Sequence, residues 1–185
     1  PERVCASAAF TSWKKFSTKE LFEELSEKEA LNFLRKVIGF GHLSVLEHAN
    51  FTFSIKGISR ACSHQLVRHR IASYTQQSQR YVRFTKKELR YVTPETIKNS
   101  RFKKQYHDMM TKIAQLYEEL CNEIPVEDAR YILPNAAETN IVVTMNAREL
   151  LHFFGLRLCR RSQWEIREVA ERMLEEVKRV APVIF

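Results

Sequence analysis

Residues 68–81, RHRIASYTQQSQRY, carry the residue types best suited to binding a phosphate ligand. The segment sets Arg68, Arg70 and Arg80 among neutral hydrogen-bonding side chains and contains no acidic residue and no lysine. A guanidinium presents a planar fork of N–H donors that can engage two phosphate oxygens at once, which an ammonium group cannot do. The segment therefore predicts a pocket for a multiply charged phosphate ligand. The alternative is a polar, basic surface loop.

The distribution of positive charge favours shaped recognition over a diffuse basic surface. The formal net charge of +8 indicates anionic partners. No lysine lies between Lys56 and Lys86 or between Lys112 and Lys178, although both spans contain several arginines. A nonspecific nucleic-acid surface needs only positive charge and would mix both residue types. A basic nucleic-acid-binding helical domain and simple compositional drift remain as alternatives.

Composition places the chain among cytoplasmic globular proteins without a metal site. Hydrophobic residues make up 44% and charged residues 28% of the 185 positions, as in ordinary soluble domains. No apolar run approaches the ~18 residues that span a bilayer, and no secretory signal opens the chain. The four cysteines form no CxxC pair and the histidines form no HxxxH pair, so we predict neither disulfides nor a metal centre. The four glycines form neither a P-loop nor a Rossmann turn, so side chains and helix ends must hold any nucleotide.

The hydrophobic pattern predicts a mostly helical α+β chain with a small sheet, in one domain spanning residues 1–185. Alternation of apolar and polar residues predicts a strand at 49–56, and a high content of β-branched residues predicts a second at 139–145. The predicted helices run from the Ser26 capping box to Gly39, over 58–68, over 99–122, between Pro125 and Pro134, and from starts at Asn146 and Ser162.

The arginine-rich segment resembles the signature of the flavin-dependent thymidylate synthases, RHRxxSxNxxSxRY. Seven positions match at the same spacing: Arg68, His69, Arg70, Ser73, Ser78, Arg80 and Tyr81. Thr75 replaces the usual asparagine of the family, and Gln76 stands where many members have glutamate. Companion motifs extend the resemblance over nearly the whole chain: Gly41-His42, Glu47-His48, Gln65, EDARYILP at 127–134, Asn146-Ala147-Arg148, Leu156-Arg157 and QWEI at 163–166.

The resemblance implies an enzyme that makes dTMP from dUMP. The carbon would come from 5,10-methylenetetrahydrofolate and the hydride from FAD that NADPH keeps reduced. The implied assembly is a homotetramer with active sites at subunit interfaces, without nucleic-acid or membrane partners. The family usually carries a strand before the position that Pro1 matches, so we expect the chain to begin inside a longer protein.

The resemblance also implies roles for individual residues. FAD contacts would fall on Ser44, Arg68, His69, Arg70, Asn146, Arg148, His152 and Arg161. Relatives often carry asparagine in place of His152 and histidine in place of Arg161. The dUMP site would take Gln65, Gln76, Ser78, Gln79, Arg80, Arg130 and Arg157. The catalytic residues would be Arg157 and His42: Arg157 would stabilise charge developing on the pyrimidine, and His42 would help to position flavin or folate. The departures at Thr75 and Gln76 leave open a flavoprotein of this fold that has lost thymidylate synthesis.

Overall fold

Helices dominate the described part of the chain, and three strands form one small sheet, which confirms the predicted mostly helical α+β class. The structure is a computed structural model that describes residues 1–15 and 17–185, without the side chains at 18, 21 and 24. The helices are α1 (Glu2–Thr11), α2 (Thr18–Glu24), α3 (Glu27–Gly39), α4 (Arg60–Leu66), α5 (Glu95–Lys98), α6 (Lys103–Glu123), α7 (Val126–Ala129), α8 (Ala147–Arg157) and α9 (Trp164–Val180). The strands are β1 (Asn50–Ser59), β2 (Ala72–Gln76) and β3 (Glu138–Asn146), and 3₁₀ helices cover Leu43–His48 and Arg130–Ile132.

The sheet has the strand order β1-β3-β2, with β3 in the centre. Thr52 Oγ1 lies 2.9 Å from Thr144 Oγ1, and Gly57 N donates to Asn140 Oδ1 at 3.3 Å. Position numbers rise along β1 as they fall along β3, so these two strands are antiparallel. Every second residue of β3 is buried from Thr139 onwards, as expected for a strand with one face on the core. The predicted strand at 139–145 is confirmed, with one further residue at each end.

Side-chain caps decide where the helices near the predicted site begin. Asn146 Oδ1 accepts the Glu149 N–H at 2.9 Å, which caps α8 as the sequence predicts. The predicted start of the last helix at Ser162 is wrong. Gln163 caps α9 by accepting the N–H groups of Glu165 and Ile166, while Ser162 donates its hydroxyl to the carbonyl of Leu156.

The predicted helix at 58–68 is too long at both ends. β1 continues to Ser59, whose Oγ accepts the Cys62 N–H at 2.9 Å and starts α4 at Arg60. The helix ends at Leu66, so Arg68 lies outside it. The long predicted helix at 99–122 likewise starts later, at Lys103, after the short helix α5.

The sequence pattern missed β2 and the two N-terminal helices. In β2, Ala72, Tyr74 and Gln76 are half-buried, and Ser73 and Thr75 are exposed. A strand with so few apolar residues gives almost no hydrophobic alternation, so periodicity cannot find it.

The described residues divide into two compact units, each discontinuous in sequence. The first unit contains Pro1–Phe53, His69–Ser73 and Val143–Phe185, and the second contains Ser54–Arg68 and Tyr74–Val142. Leu34, Leu46, Phe153 and Ile166 are fully buried in the first unit. In the second, Tyr117, Cys121 and Ala129 form a buried cluster with Phe84 and Leu120 packed against it. The expectation of one domain stays a prediction.

No helix in the described ranges has the length and apolar character needed to cross a membrane.

The capping box of α3 yields a stability prediction. Ser26 Oγ accepts the Glu29 N–H, and Glu29 Oε2 accepts the Ser26 N–H, as the sequence predicts. We expect Ser26→Ala to lower the free energy of unfolding by about 1 kcal/mol, because the first turn then loses its side-chain acceptor. Urea denaturation would measure the loss, with Ser54→Ala on the exposed face of β1 as the control. Equal losses in the two variants would contradict a stabilising cap.

Candidate functional site

The imidazole of His69 is the centre of a buried polar cluster in the first unit. His69 is 5% exposed. Its Nε2 lies 2.9 Å from Arg157 Nε, and its Nδ1 lies 3.5 Å from Glu149 Oε1. The Phe153 ring meets the imidazole edge-on, with centroids 4.9 Å apart and planes at 83°. One residue of the predicted cofactor set therefore contacts the predicted catalytic arginine.

These contacts fix the protonation of the ring. An arginine side chain only donates hydrogen bonds, so Nε2 of His69 must be the acceptor. The proton of the neutral ring then lies on Nδ1, which faces the Glu149 carboxylate.

Burial and nearby positive charge keep His69 neutral. Burial, together with the smaller effects of the charges of Arg157 and His152, lowers the pKa of His69 from its ordinary 6.5 to about 4. Burial also raises the pKa of the Glu149 carboxyl, and the neighbouring His152 opposes that shift.

Most of the other predicted catalytic and cofactor residues in the first unit are exposed. This is true of His42, Ser44, Arg70, Arg148, His152 and Arg161. Arg148 forms an ion pair with Glu47. The rings of His152 and His69 have centroids 6.2 Å apart. Asn146 uses its carbonyl oxygen for the α8 cap, so its amide N–H groups are the part suited to a ligand oxygen. Arg68 is exposed and belongs to the second unit.

The predicted substrate residues other than Arg157 all belong to the second unit. Two of them share Glu127. Arg80 Nε lies 2.6 Å from the Glu127 carboxylate, and Arg130 Nε donates to the Glu127 carbonyl at 3.0 Å. The Arg80 and Glu127 side chains are about half exposed, and such pairs contribute little stability, so an incoming phosphate can replace the carboxylate.

Gln76 and Ser78 are held by local hydrogen bonds. The Gln76 amide donates to Ser63 Oγ at 2.9 Å and to Thr139 Oγ1 at 3.2 Å, which leaves its carbonyl oxygen to face other groups. Ser78 Oγ accepts the N–H groups of Arg80 and Tyr81, so its hydroxyl hydrogen is the part that can donate to a ligand. Gln65 and Gln79 are half-buried.

The acidic partners of three predicted site residues were not identified from the sequence. Glu47, Glu127 and Glu149 contact Arg148, Arg80 and His69, respectively. Glu149, Phe153 and Arg157 are spaced four residues apart, which places them on one helix face. This spacing is visible in the sequence and could have indicated that they share a partner. The 47–148 and 80–127 pairings join distant segments, so no local pattern could have found them.

A cavity of about 380 Å³ lies elsewhere in the second unit. Its lining includes Lys56, Arg90 and Glu138 but none of the predicted substrate residues.

Comparison with known proteins identifies the family. The family model described as thymidylate synthase complementing protein matches residues 1–183. A flavin-dependent thymidylate synthase of Geobacter sulfurreducens is 54% identical, with coverage of 100% of this chain and 81% of the relative. The one from Pyrococcus furiosus is 51% identical, with coverage of 99% and 78%. The chain belongs to the flavin-dependent thymidylate synthase family. It is thus an enzyme of the class that the sequence signature indicated.

Solved flavin-dependent thymidylate synthases share the fold. A structure from Helicobacter pylori, described as complexed with FAD and dUMP, superposes with a TM-score of 0.76 at 25% identity, covering 95% of this chain and 88% of that one. A second structure from the same organism gives a TM-score of 0.75 at 24% identity.

The buried histidine of this thymidylate synthase predicts a pH-dependent stability. The unfolded chain protonates His69 near pH 6.5 and the folded chain only near pH 4, so stability falls as the pH drops through that window. We expect the free energy of unfolding of wild type relative to His69→Gln to fall by up to about 3 kcal/mol between pH 6.5 and 4, at ~1.4 kcal/mol per pKa unit. Urea titrations at a series of pH values would measure it.

Glu149, His152 and Arg157, all from α8, are titratable or charged groups next to His69. The raised pKa of Glu149 acts in the opposite direction, because the folded chain takes up that proton first. Both wild type and His69→Gln retain Glu149. The difference between their free energies of unfolding therefore reports the pH dependence that is due to His69. Parallel curves for the two would contradict a neutral, buried His69.

Proposed function

We propose that the chain catalyses the reductive methylation of dUMP to dTMP, with 5,10-methylenetetrahydrofolate as the carbon donor and FAD, reduced by NADPH, as the hydride source. Family membership over residues 1–183 supports the reaction. The Helicobacter pylori relative with FAD and dUMP supports the two nucleotide ligands. The observation that carries the assignment of roles is the 2.9 Å contact between Arg157 and His69, which joins one predicted substrate residue to one predicted cofactor residue.

The donor chemistry of the first unit fits a flavin dinucleotide. The guanidinium groups of Arg70, Arg148 and Arg161 are exposed and suit a pyrophosphate. The amide of Asn146 and the imidazoles of His69 and His152 suit ring and ribose oxygens. The full set that would hold FAD is Ser44, Arg68, His69, Arg70, Asn146, Arg148, His152 and Arg161. Bound in its reduced form, FAD supplies a hydride.

The second unit would bind dUMP through its phosphate and base. Arg80 and the Ser78 hydroxyl would hold the 5′-phosphate, with the phosphate displacing Glu127 from the Arg80 guanidinium. Arg130, whose Nε donates to the Glu127 carbonyl, would add a second guanidinium group. Gln65, Gln76 and Gln79 would complete the site through amide and backbone groups.

Arg157 would act by electrostatic stabilisation. As C5 of the pyrimidine becomes nucleophilic, negative charge develops on the ring, and a guanidinium aimed at that charge lowers the barrier without transferring a proton. Arg157 is half-buried, and its Nε is already committed to His69, so its orientation is set before substrate binds. His42 would help to position flavin or folate.

A cytoplasmic homotetramer with active sites at subunit interfaces is part of the proposal. Tyr81 and Tyr131 are 79% and 84% exposed, beside two of the substrate arginines. The Arg80 and Arg130 guanidinium groups lie over these rings, 5.3 and 6.0 Å from their centroids. Exposed aromatic surface next to predicted ligand-binding residues supports completion of the site by another subunit.

Absorption spectra and product analysis would test the function. The purified protein should carry or take up FAD, be bleached by NADPH, and form dTMP only when dUMP and 5,10-methylenetetrahydrofolate are both present. Bound flavin without dTMP would instead support a flavoprotein of this fold that has lost synthesis. A colourless protein that binds DNA or RNA with strong salt dependence would overturn the proposal.

Replacement of Arg157 by lysine tests the electrostatic role. Lysine keeps the charge but removes the planar fork and the Nε contact with His69, so we expect kcat to fall by about 10²–10³-fold. Flavin should still bind, because Arg157 lies outside the eight residues proposed to hold the cofactor and contacts one of them, His69. Stopped-flow reduction and turnover assays would separate the two effects. Arg167→Lys on α9 is the matched control, and near-normal turnover of Arg157→Lys would refute the assignment.

Replacement of Arg80 by alanine tests the phosphate site. We expect the dissociation constant of dUMP to rise by about 10–100-fold, because one charge-assisted bidentate contact is lost. Isothermal titration with dUMP would measure it, and the flavin spectrum should not change. Arg83→Ala, which removes a nearby arginine that contacts Asn122, is the control. An unchanged dissociation constant for Arg80→Ala would remove Arg80 from the site.

A further inference from the structure

The first turn of α8 buries a carboxylate that has no role in the reaction described above. Glu149 is 7% exposed and lies three residues after the Asn146 cap. Burial of a carboxylate is costly unless a partner compensates for lost water. The N-terminal end of α8 favours negative charge, and Nδ1 of His69 lies 3.5 Å from the carboxylate.

One face of α8 contacts His69 from three directions. Glu149, Phe153 and Arg157 follow one another at intervals of four residues, so their side chains share that face. The carboxylate faces Nδ1, the Phe153 ring packs edge-on against the imidazole, and the guanidinium faces Nε2. The helix therefore constrains both the position of the ring and the partner of each nitrogen.

A carboxylate at this position selects one tautomer of the ring. An ionised carboxylate only accepts hydrogen bonds, so it favours the proton on Nδ1. The unprotonated Nε2 can then accept a hydrogen bond from Arg157. In the other tautomer, the Nε2–H of His69 would point at the Nε–H of Arg157, and neither group could accept. A neutral amide at position 149 could present either its oxygen or its NH₂ group and would not make this selection.

We propose that Glu149 is a positioning residue for Arg157: through His69 it keeps Nε2 as an acceptor and so fixes the Nε edge of the guanidinium. This inference rests on the proposed function, in which Arg157 stabilises charge on the pyrimidine. Electrostatic stabilisation depends on donors that already point at the developing charge. If the Arg157 guanidinium is free to change its orientation, the reaction slows even though the positive charge remains.

Replacement of Glu149 by glutamine is the main test. It keeps the volume of the side chain and removes the charge that selects the tautomer. We expect kcat to fall by about 10–100-fold, as for other residues that orient a functional group through a hydrogen bond. The KM for dUMP should change by less than about threefold, because dUMP does not contact Glu149 or His69 in the proposed site.

The tautomer of His69 provides a readout that a merely structural role would not move. Long-range ¹H–¹⁵N correlation spectra distinguish the two tautomers, and comparison with His69→Gln assigns the signals. The wild-type enzyme should show the proton on Nδ1. Glu149→Gln should show a mixture or the opposite tautomer. Should the variant fail to fold, the wild-type spectrum alone still decides, because a proton on Nε2 would overturn the proposal.

Glu2→Gln is the matched control. Glu2 is another buried glutamate in a first helical turn of the first unit, and its carboxylate accepts the N–H groups of Val183 and Ile184. Its replacement should lower stability but leave kcat and the His69 tautomer unchanged. The same loss of kcat in both variants would mean that Glu149 acts only through stability, which would overturn the proposal.

A double-mutant cycle tests whether Glu149 acts through the arginine. In the Arg157→Lys background, Glu149→Gln should lower the remaining rate by less than about threefold, because the group that it positions is already gone. A full additional loss of 10-fold or more would show a separate role and would overturn the inference. A wild-type enzyme that makes no dTMP would refute the proposed function instead, while the tautomer measurement would still judge the Glu149–His69–Arg157 contact.

Discussion

The arrangement of α8 depends on one neutral imidazole held between opposite charges. His69 is nearly inaccessible to water, with a guanidinium on one nitrogen and a carboxylate facing the other. Protonation of the ring would put a second cation against Arg157 and remove its acceptor, so the contact exists only with the neutral form. In the proposed role of Glu149, a neutral histidine at this position links the carboxylate to Arg157 without carrying charge itself.

Local backbone structure places the helix that supplies these partners. Asn146 is both the last residue of β3 and the cap of α8, so the end of the strand sets the first turn of the helix. The Ala147 N–H donates to the Ala49 carbonyl at 2.8 Å, which ties the same turn to the residue before β1. Arg148 then points to Glu47 in the 3₁₀ helix, and Glu149 points to His69. Two consecutive residues of one helical turn therefore form different kinds of pair: Arg148 and Glu47 are exposed, whereas Glu149 and His69 are buried.

The sequence predicted what local patterns encode and failed where distant segments decide. The α3 capping box, β3 and the Asn146 cap follow from neighbouring residues and are confirmed. β2 was missed because its residues are mostly polar, and Ser162 was mistaken for a cap because Gln163 reaches the same N–H groups with a longer side chain. The roles of single residues in the signature were predicted by resemblance and remain predictions. The contact of His69 with Arg157 spans 88 positions, so no local pattern contains it.

Arg80 and Arg157 differ in the solvent exposure of the residues that they contact. The Arg80–Glu127 pair is half exposed, so water and salt weaken it and an anion can exchange for the carboxylate at little cost. Glu149 and His69 are buried and Arg157 is half-buried, so loss of a partner leaves a buried polar group unsatisfied. An exchangeable contact suits a group that must release one anion to bind another. A buried contact suits a group whose direction must not change while charge develops on a substrate. The same residue type, arginine, can therefore bind or orient according to the solvent exposure of its partner.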